Sequence, residues 1–222
     1  MPIKRSLITA LALAALAATP TFGASSAHLT NVPRSAMQVT EGALATYGHQ
    51  GQVRTRDAAM RAVVRDHGHH ADRARLSFQL LGPSTTTSAL GSGIVRQQIG
   101  LKMLAADPCN LVYVMWHSAP TQAIEIQVKS NPGETTSAQC GNGGYNTIAQ
   151  IPLTMPISPL KSHALEARVR PAGNGAAYLA VFADRVMVWE GALPAQLVAN
   201  LSGPAGVRSD NGDYVFRLST GR

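Results

Sequence analysis

The carboxylates in strand-like stretches of this chain are isolated. Glu125, Glu166 and Glu190 each stand alone, with no second acid at i+2 or i+4. Paired-carboxylate hydrolysis needs two such groups flanking one bond, one as acid and one as nucleophile or base. Here a pair could form only between separate strands. Nucleophilic hydrolysis is no better served. There is no G-x-S-x-G, Gly91-Ser92-Gly93 is too short for that elbow, and His117 and His163 lack a recognisable Ser or Cys partner. No Walker-type loop or dinucleotide fingerprint occurs. His67, His69 and His70 cluster as HGHH, but three imidazoles on one link, without supporting partners, give only adventitious Zn or Cu binding. Asp210-Asn211-Gly212-Asp213 gathers oxygens in one turn. It reads as an Asx-rich turn leading into the last strand, so no cofactor is expected, calcium near Asp210 and Asp213 being the one alternative.

Binding chemistry is better represented than catalytic chemistry. Arg96, Gln98 and Lys102 share one side of a strand-like stretch, Glu125, Gln127 and Lys129 one side of another, and Arg168 and Arg170 one side of a third. If these strands are neighbours, one sheet face is wet and net basic. Such a face suits an anionic polysaccharide held by charge-assisted hydrogen bonds, or it is the ordinary solvated face of an antiparallel sheet. Tyr145 follows Cys140 in a Gly-rich loop and is the aromatic best placed for ligand contact, whereas Trp116 and Trp189 sit in apolar runs and read as core. The ligand-binding candidates are therefore Arg96, Gln98, Lys102, Lys129, Tyr145 and Arg168.

The elements that must position these residues are strands. Ile99, Leu101 and Met103 alternate with polar neighbours, as do Ile124, Ile126 and Val128, then Leu165, Ala167 and Val169, then Tyr214, Phe216 and Leu218. This period of two marks half-buried strands. Ala74 to Leu81 is a candidate first strand, and Leu111 to Trp116 is a continuous apolar run suited to burial on both faces. Asp184-Arg185 between Tyr178–Ala183 and Val186–Trp189 reads as a two-residue hairpin turn. Gly- and Asn-rich breaks separate the runs. Short strands so punctuated predict an all-β, antiparallel β-sandwich of the jelly-roll kind.

The N-terminus predicts export. Lys4 and Arg5 precede an apolar run, Leu7 to Ala18, and then small residues up to Ala27. That is the layout of a signal peptide over residues 1–27, and the run is too short for the roughly 30 Å hydrocarbon layer. A periplasmic or secreted protein without a membrane span is expected. In that setting Cys109 and Cys140, the only cysteines, predict one disulfide. The formal charge of +7 becomes +5 (7 − 2) once Lys4 and Arg5 are lost. Basic surfaces favour anionic polysaccharide, acidic lipid or nucleic acid, and nucleic acid is not the expected partner. Residues 28–71 read as a basic leader, poorly ordered or with a short helix over Thr55–Asp66, ahead of a sandwich domain over 72–222.

The C-terminal stretch adds a resemblance. Trp189-Glu190-Gly191, then Gly203-Pro204-Ala205-Gly206-Val207-Arg208-Ser209-Asp210-Asn211, then Tyr214-Val215-Phe216 resemble the closing strands of the concanavalin A-like lectin/glucanase superfamily, laminin-G-like jelly rolls included. The likeness covers about residues 72–222. It implies a jelly roll and glycan contact, a property of the superfamily rather than of any residue here. Superfamily hydrolases carry E-x-D-x-x-E on a strand, which is absent. Its lyases carry Q-I-H, and this chain has Gln98-Ile99-Gly100. Three roles remain open: a non-catalytic glycan-binding or adhesive module favouring acidic polysaccharide, a polysaccharide lyase or hydrolase built from separate strands, and a structural envelope protein that binds another protein. A His or Tyr beside a basic cleft would favour the second.

Overall fold

A computed structural model describes residues 28–48, 51–65, 70–154 and 156–221. The expected signal peptide and His67 and His69 lie outside those residues. The strands, in chain order, begin with β1 (Thr30–Asn31), β2 (Met37–Glu41), β3 (Ala45–Tyr47), β4 (Gln52–Thr55) and β5 (Ala59–Val64). Then come β6 (Arg73–Pro83), β7 (Gln97–Met103), β8 (Leu111–Ala119), β9 (Ala123–Lys129) and β10 (Tyr145–Pro152). The last are β11 (His163–Gly173), β12 (Ala176–Ala183), β13 (Val186–Leu193), β14 (Gly206–Asp210) and β15 (Gly212–Gly221). Two four-residue helices, α1 (Ser137–Cys140) and α2 (Ala195–Val198), sit in connections.

The strands form two antiparallel sheets. One runs β13-β12-β11-β6-β15-β4-β3, with β1 added on β15, and the other runs β10-β9-β8-β7-β14-β5-β2. The period of two explains what each strand buries. Ile99, Leu101 and Met103 of β7, Val112, Val114 and Trp116 of β8, and Ile124, Ile126 and Val128 of β9 meet Leu165, Ala167, Phe78, Leu76 and Phe216 from the other sheet in one core. Trp116 is fully buried, edge-on to Phe78 at 5.7 Å between ring centres, so it is core as its apolar run implied. The β12–β13 hairpin turns at Asp184 and Arg185 with φ of 48° and 72°, the left-handed pair that a two-residue hairpin demands.

The segment read as a leader is corrected. Residues 30–64 supply five strands to the sandwich: β2 and β5 extend the seven-stranded sheet beyond β14, β3 and β4 extend the other beyond β15, and β1 pairs with β15. No helix spans Thr55–Asp66 in its described part. Val53, Met60 and Ala62 are buried at alternate positions of β4 and β5. Pairing on both sides of β5 outweighs the weak helical pattern of its small side chains.

Candidate functional site

The outer face of the seven-stranded sheet carries the polar side chains, and strand register arranges them in rows. Asp210 of β14 stands opposite Gln98 of β7, which stands opposite His117 of β8. In the next row Arg61 of β5, Arg208, Gly100, Met115 and Glu125 follow one another across the sheet. In the third, Gly206, Lys102, Tyr113, Gln127 and Thr147 do so. Lys129 pairs with Tyr145 at the β9–β10 edge. A cavity of about 350 Å³ lies over Arg61, Lys102, Tyr113, Lys129, Tyr145 and Arg208, and one of about 330 Å³ over Arg96, Gln98, Glu125 and Gln127. Both fall in the range of small-molecule sites, roughly 300–1,000 Å³.

Gly100 shapes the floor. A Cβ there would lie 2.2 Å from the Val114 carbonyl oxygen and 2.7 Å from Met115 Cα. Any side chain, a histidine included, would force the β7 and β8 backbones apart. The Q-I-H pattern of the lyases therefore has no histidine equivalent here, for a steric reason. Tyr113 and Met115 with Leu111 and Ala105 form a small apolar cluster of their own beneath the groove.

Electrostatics centre on Asp210, which is fully buried. Its Oδ1 accepts from Arg61 Nη2 at 2.7 Å, and its Oδ2 accepts from Arg208 Nε at 2.8 Å and Gln98 Nε2 at 2.6 Å. Burial raises its pKa, but Arg208, Arg61 and Gln98 together hold it below the usual carboxylate range. Arg208 is held more strongly protonated than a free guanidinium: burial opposes its charge, and Asp210 with Tyr113 and Tyr145 overcomes that cost. Arg208 also covers the Tyr113 ring at 5.0 Å and donates to the Tyr145 hydroxyl at 3.3 Å. The two tyrosine rings stack at 6.0 Å. Burial pushes the Tyr113 hydroxyl up to about 12.

Most of the expected ligand residues already have partners. Arg96 donates to Glu125 Oε2 at 2.9 Å, and His117 Nε2 lies 3.1 Å from that oxygen. Burial raises the Glu125 pKa, but His117 and Arg96 outweigh it and lower it overall. Gln98 is spent on Asp210 through its amide nitrogen, while its Oε1 is buried without a donor. Lys129 donates to the Gly141 carbonyl at 2.8 Å and the Pro108 carbonyl at 3.3 Å, and sits 5.1 Å over the Tyr145 ring. It fastens the β9–β10 loop. The Cys109–Cys140 disulfide, closing 31 residues of sequence, fastens the same loop to the β7–β8 connection.

Lys102 is the exception. It is 3% exposed, lines the larger cavity, and has no hydrogen bond or ion pair among the described residues. Burial lowers its pKa to about 7, helped by Arg61, Arg208 and Lys129 and opposed by Glu41. Glu41 acts on it only at a distance, so this cation lacks a bonded anion among the described residues.

Arg168 is corrected in place. It belongs to β11, in the other sheet, where it donates to Glu166 at 2.7 Å and lies 4.5 Å over Phe182. It cannot share a ligand with Lys102. The calcium alternative at the Asp210–Asp213 turn finds no open oxygens. Asp210 is taken up by arginines, and Asp213 is gripped by both Nε and Nη2 of Arg54, at 2.8 and 2.6 Å. These oxygens do not fit a calcium site, and no cluster of metal-ligating side chains occurs among the described residues. His163 is structural: its Nδ1 contacts Asp184 Oδ2 at 2.8 Å, its Nε2 accepts from the Ser158 amide, and its ring packs on Phe78 and Trp116. Arg61, Tyr113 and Arg208 are site residues that sequence reasoning did not select.

No protein-family model matches the sequence, and a comparison with curated proteins finds no match. Solved structures do match the fold. The carbohydrate recognition domain of Emp47p superposes with a TM-score of 0.53 at 9% identity, covering 87% of this chain and 94% of that one. The potassium-bound form of the Emp46p carbohydrate recognition domain gives 0.50 at 10% identity, covering 84% and 88%. The apo Crh5 transglycosylase gives 0.50 at 10% identity, covering 90% and 85%. The architecture is thus the concanavalin A-like jelly roll, as the closing-strand resemblance implied, and at such identities the likeness is one of fold.

Proposed function

We propose that the protein is an exported glycan-binding module whose groove holds a polysaccharide bearing carboxylates, of the uronate type. The observation that carries this is Lys102, a nearly buried ammonium at the groove floor among Arg61, Arg208 and Lys129, opposed only by Glu41 and with no hydrogen-bond acceptor among the described residues. A carboxylate entering the cavity supplies the missing partner and repays the desolvation. A uronate hydroxyl can take the proton of the Tyr145 hydroxyl, whose oxygen already accepts from Arg208. The carbohydrate recognition domains that share the fold are consistent with this reading. The disulfide supports an oxidising compartment, the setting of an exported chain.

Calorimetric titration of the purified protein with alginate, polygalacturonate, a sulfated glycan and a neutral glucan tests it. The expected result is binding of a uronate polymer that Lys102→Met weakens at least ~tenfold, the loss of about 1.4 kcal/mol that one charge-assisted bond can supply. Equal binding of the neutral glucan, or none of any polymer, overturns the reading.

A second reading follows from the same lysine. With its pKa near 7, Lys102 has a large neutral fraction at neutral pH and can act as a base. Its opposite neighbour in register is Tyr113, kept protonated by burial, and Tyr145 stacks on Tyr113 and lines the same cavity as Lys102. That set suits β-elimination. The Lys102 amine takes the C5 proton of a uronate, the C4–O bond breaks as a C4=C5 double bond forms, and a tyrosine hydroxyl gives its proton to the departing oxygen. Arg208 neutralises the carboxylate so that C5 becomes acidic. Ultraviolet absorbance of the unsaturated product on prolonged incubation is the readout, and its absence with every bound polymer leaves the module non-catalytic.

A further inference from the structure

The two cavities over the seven-stranded sheet share lining residues: Leu90, Gly91, Asn142, Tyr145 and Arg208 border both. Tyr145 and Arg208 belong to strands β10 and β14, beneath. Leu90 and Gly91 come from the long β6–β7 connection, and Asn142 from the β9–β10 connection. These two loops meet. A Cβ on Gly91 would stand 2.6 Å from Cγ and 2.7 Å from Nδ2 of Asn142. Each loop is pinned on its own side. The Asn211 side chain accepts from the Ser88 amide and donates to the Ser88 and Arg96 carbonyls, at 2.8–3.0 Å, holding the first. The disulfide and Lys129 hold the second. No hydrogen bond joins the two loops among the described residues.

Sheet residues below and loop residues above therefore enclose the boundary between the cavities. The two sides differ in chemistry. Arg61 and Lys102 line one, and Arg96, Gln98, Glu125 and Gln127 line the other. We infer that the groove is a bridged passage, and that its ligand is a linear, unbranched anionic chain running beneath the Gly91–Asn142 contact. One carboxylate sits at Lys102, and the chain continues over the mixed polar compartment beyond the bridge. This rests on the uronate reading above and adds a selection that an open sheet face would not make. A bare chain can pass under two abutting loops, whereas a chain with a sugar on alternate rings collides with Leu90, Gly91 and Asn142. Those residues set specificity by shape and supply no charge.

The test compares alginate and polygalacturonate with the same polymers after single-sugar side groups have been grafted onto ring hydroxyls at matched charge. The wild-type protein is expected to bind a bare polymer at least ~tenfold tighter than its grafted form, a gap of about 1.4 kcal/mol by the affinity relation. Asn142→Gly, which removes the upper contact, is expected to bring that ratio toward unity. Gly91→Trp, which presses on Asn142 from the other side, is expected to widen it. Equal wild-type binding of bare and grafted polymers overturns the passage while leaving the uronate reading intact. Failure of both bare polymers to bind overturns both. A ratio that neither substitution moves overturns the assignment of the bridge as its cause.

Discussion

Two arrangements of the same composition lie on opposite outer faces of the sandwich. In the groove, Asp210 is shared by Arg208 and Arg61. On the other sheet, Glu166 is shared by Arg73 and Arg168, at 2.8 and 2.7 Å. Each places one carboxylate between two guanidiniums. Both carboxylates are held below their ordinary range by their arginines in spite of burial. They differ in surroundings. Asp210 is out of contact with solvent, Gln98 adds a third donor, and Lys102 stands nearby without a hydrogen-bonded anion among the described residues, Glu41 being the one acid that acts on it. Around Glu166 the side chains are partly exposed, and Arg168 rests on the Phe182 ring. The count of arginines does not tell a binding site from a solvated face. A desolvated cation left without a bonded anion does.

The largest expected contrast is in stability. Asp210→Ala removes the carboxylate shared by two largely buried guanidiniums, leaving Arg61 only its longer contact with Glu41, and should cost about 3–5 kcal/mol, whereas Glu166→Ala lets water reach its arginines and should cost about 1 kcal/mol. Urea unfolding of the two variants measures the difference, and equal losses would erase the distinction between the faces. The pH sign is shared. A carboxylate with a lowered folded pKa stabilises above the ordinary carboxylate range and loses that contribution as pH falls below it. Acid should thus unfold the protein by protonating both sites. Next in size is the disulfide. Replacing Cys109 and Cys140 with Ala should cost about 3–4 kcal/mol in the chain-entropy model. It should also weaken groove binding more than any change at Arg168, because Cys140 anchors the loop that carries Asn142 and contacts Lys129.

Much of this architecture is written in the chain, and the limits are physical. Period-two alternation places Ile99, Leu101 and Met103 inward and Gln98 and Lys102 outward, as observed. It specifies the face of a strand but not its neighbours. Hence Lys102, Lys129 and Arg96 come to one sheet face, while Arg168, with equally good alternation, lies on the other sheet. Tyr113 is hidden inside the apolar run of β8, where the outward positions are apolar too. Arg61 was missed because β5 has small side chains with little pattern and gains its stability from β2 and β14 on either side. A signal was present there, since Met60, Ala62 and Val64 alternate with Arg61. That Lys102 lacks an acceptor is a property of packing, and no spacing rule carries it.

The narrowest prediction separates the two roles of Lys102 and contrasts them with the outer face. Lys102→Met should weaken uronate binding and yet raise stability at neutral pH by about 1–2 kcal/mol, since a buried ammonium is replaced by an apolar chain of similar length. The sign follows from its lowered pKa. Below about 7 the folded protein carries the charged lysine at full cost. As pH rises from there toward the unfolded value the folded form sheds its proton first, and stability climbs. Ligand binding runs the other way. A bound carboxylate raises the Lys102 pKa, so affinity is highest below about 7 and falls as pH increases above it, by up to ~tenfold per unit. Elimination with Lys102 as base has the opposite slope again, rising through the same region as the free amine appears. Titrations and product-absorbance assays between pH 6 and pH 9 (a range of about 3 units around the lysine) therefore tell binder from lyase by slope alone. Arg168→Ala should change neither curve. If it shifts them as much as Lys102→Met does, the two basic faces act together, and the assignment of the groove to one sheet fails.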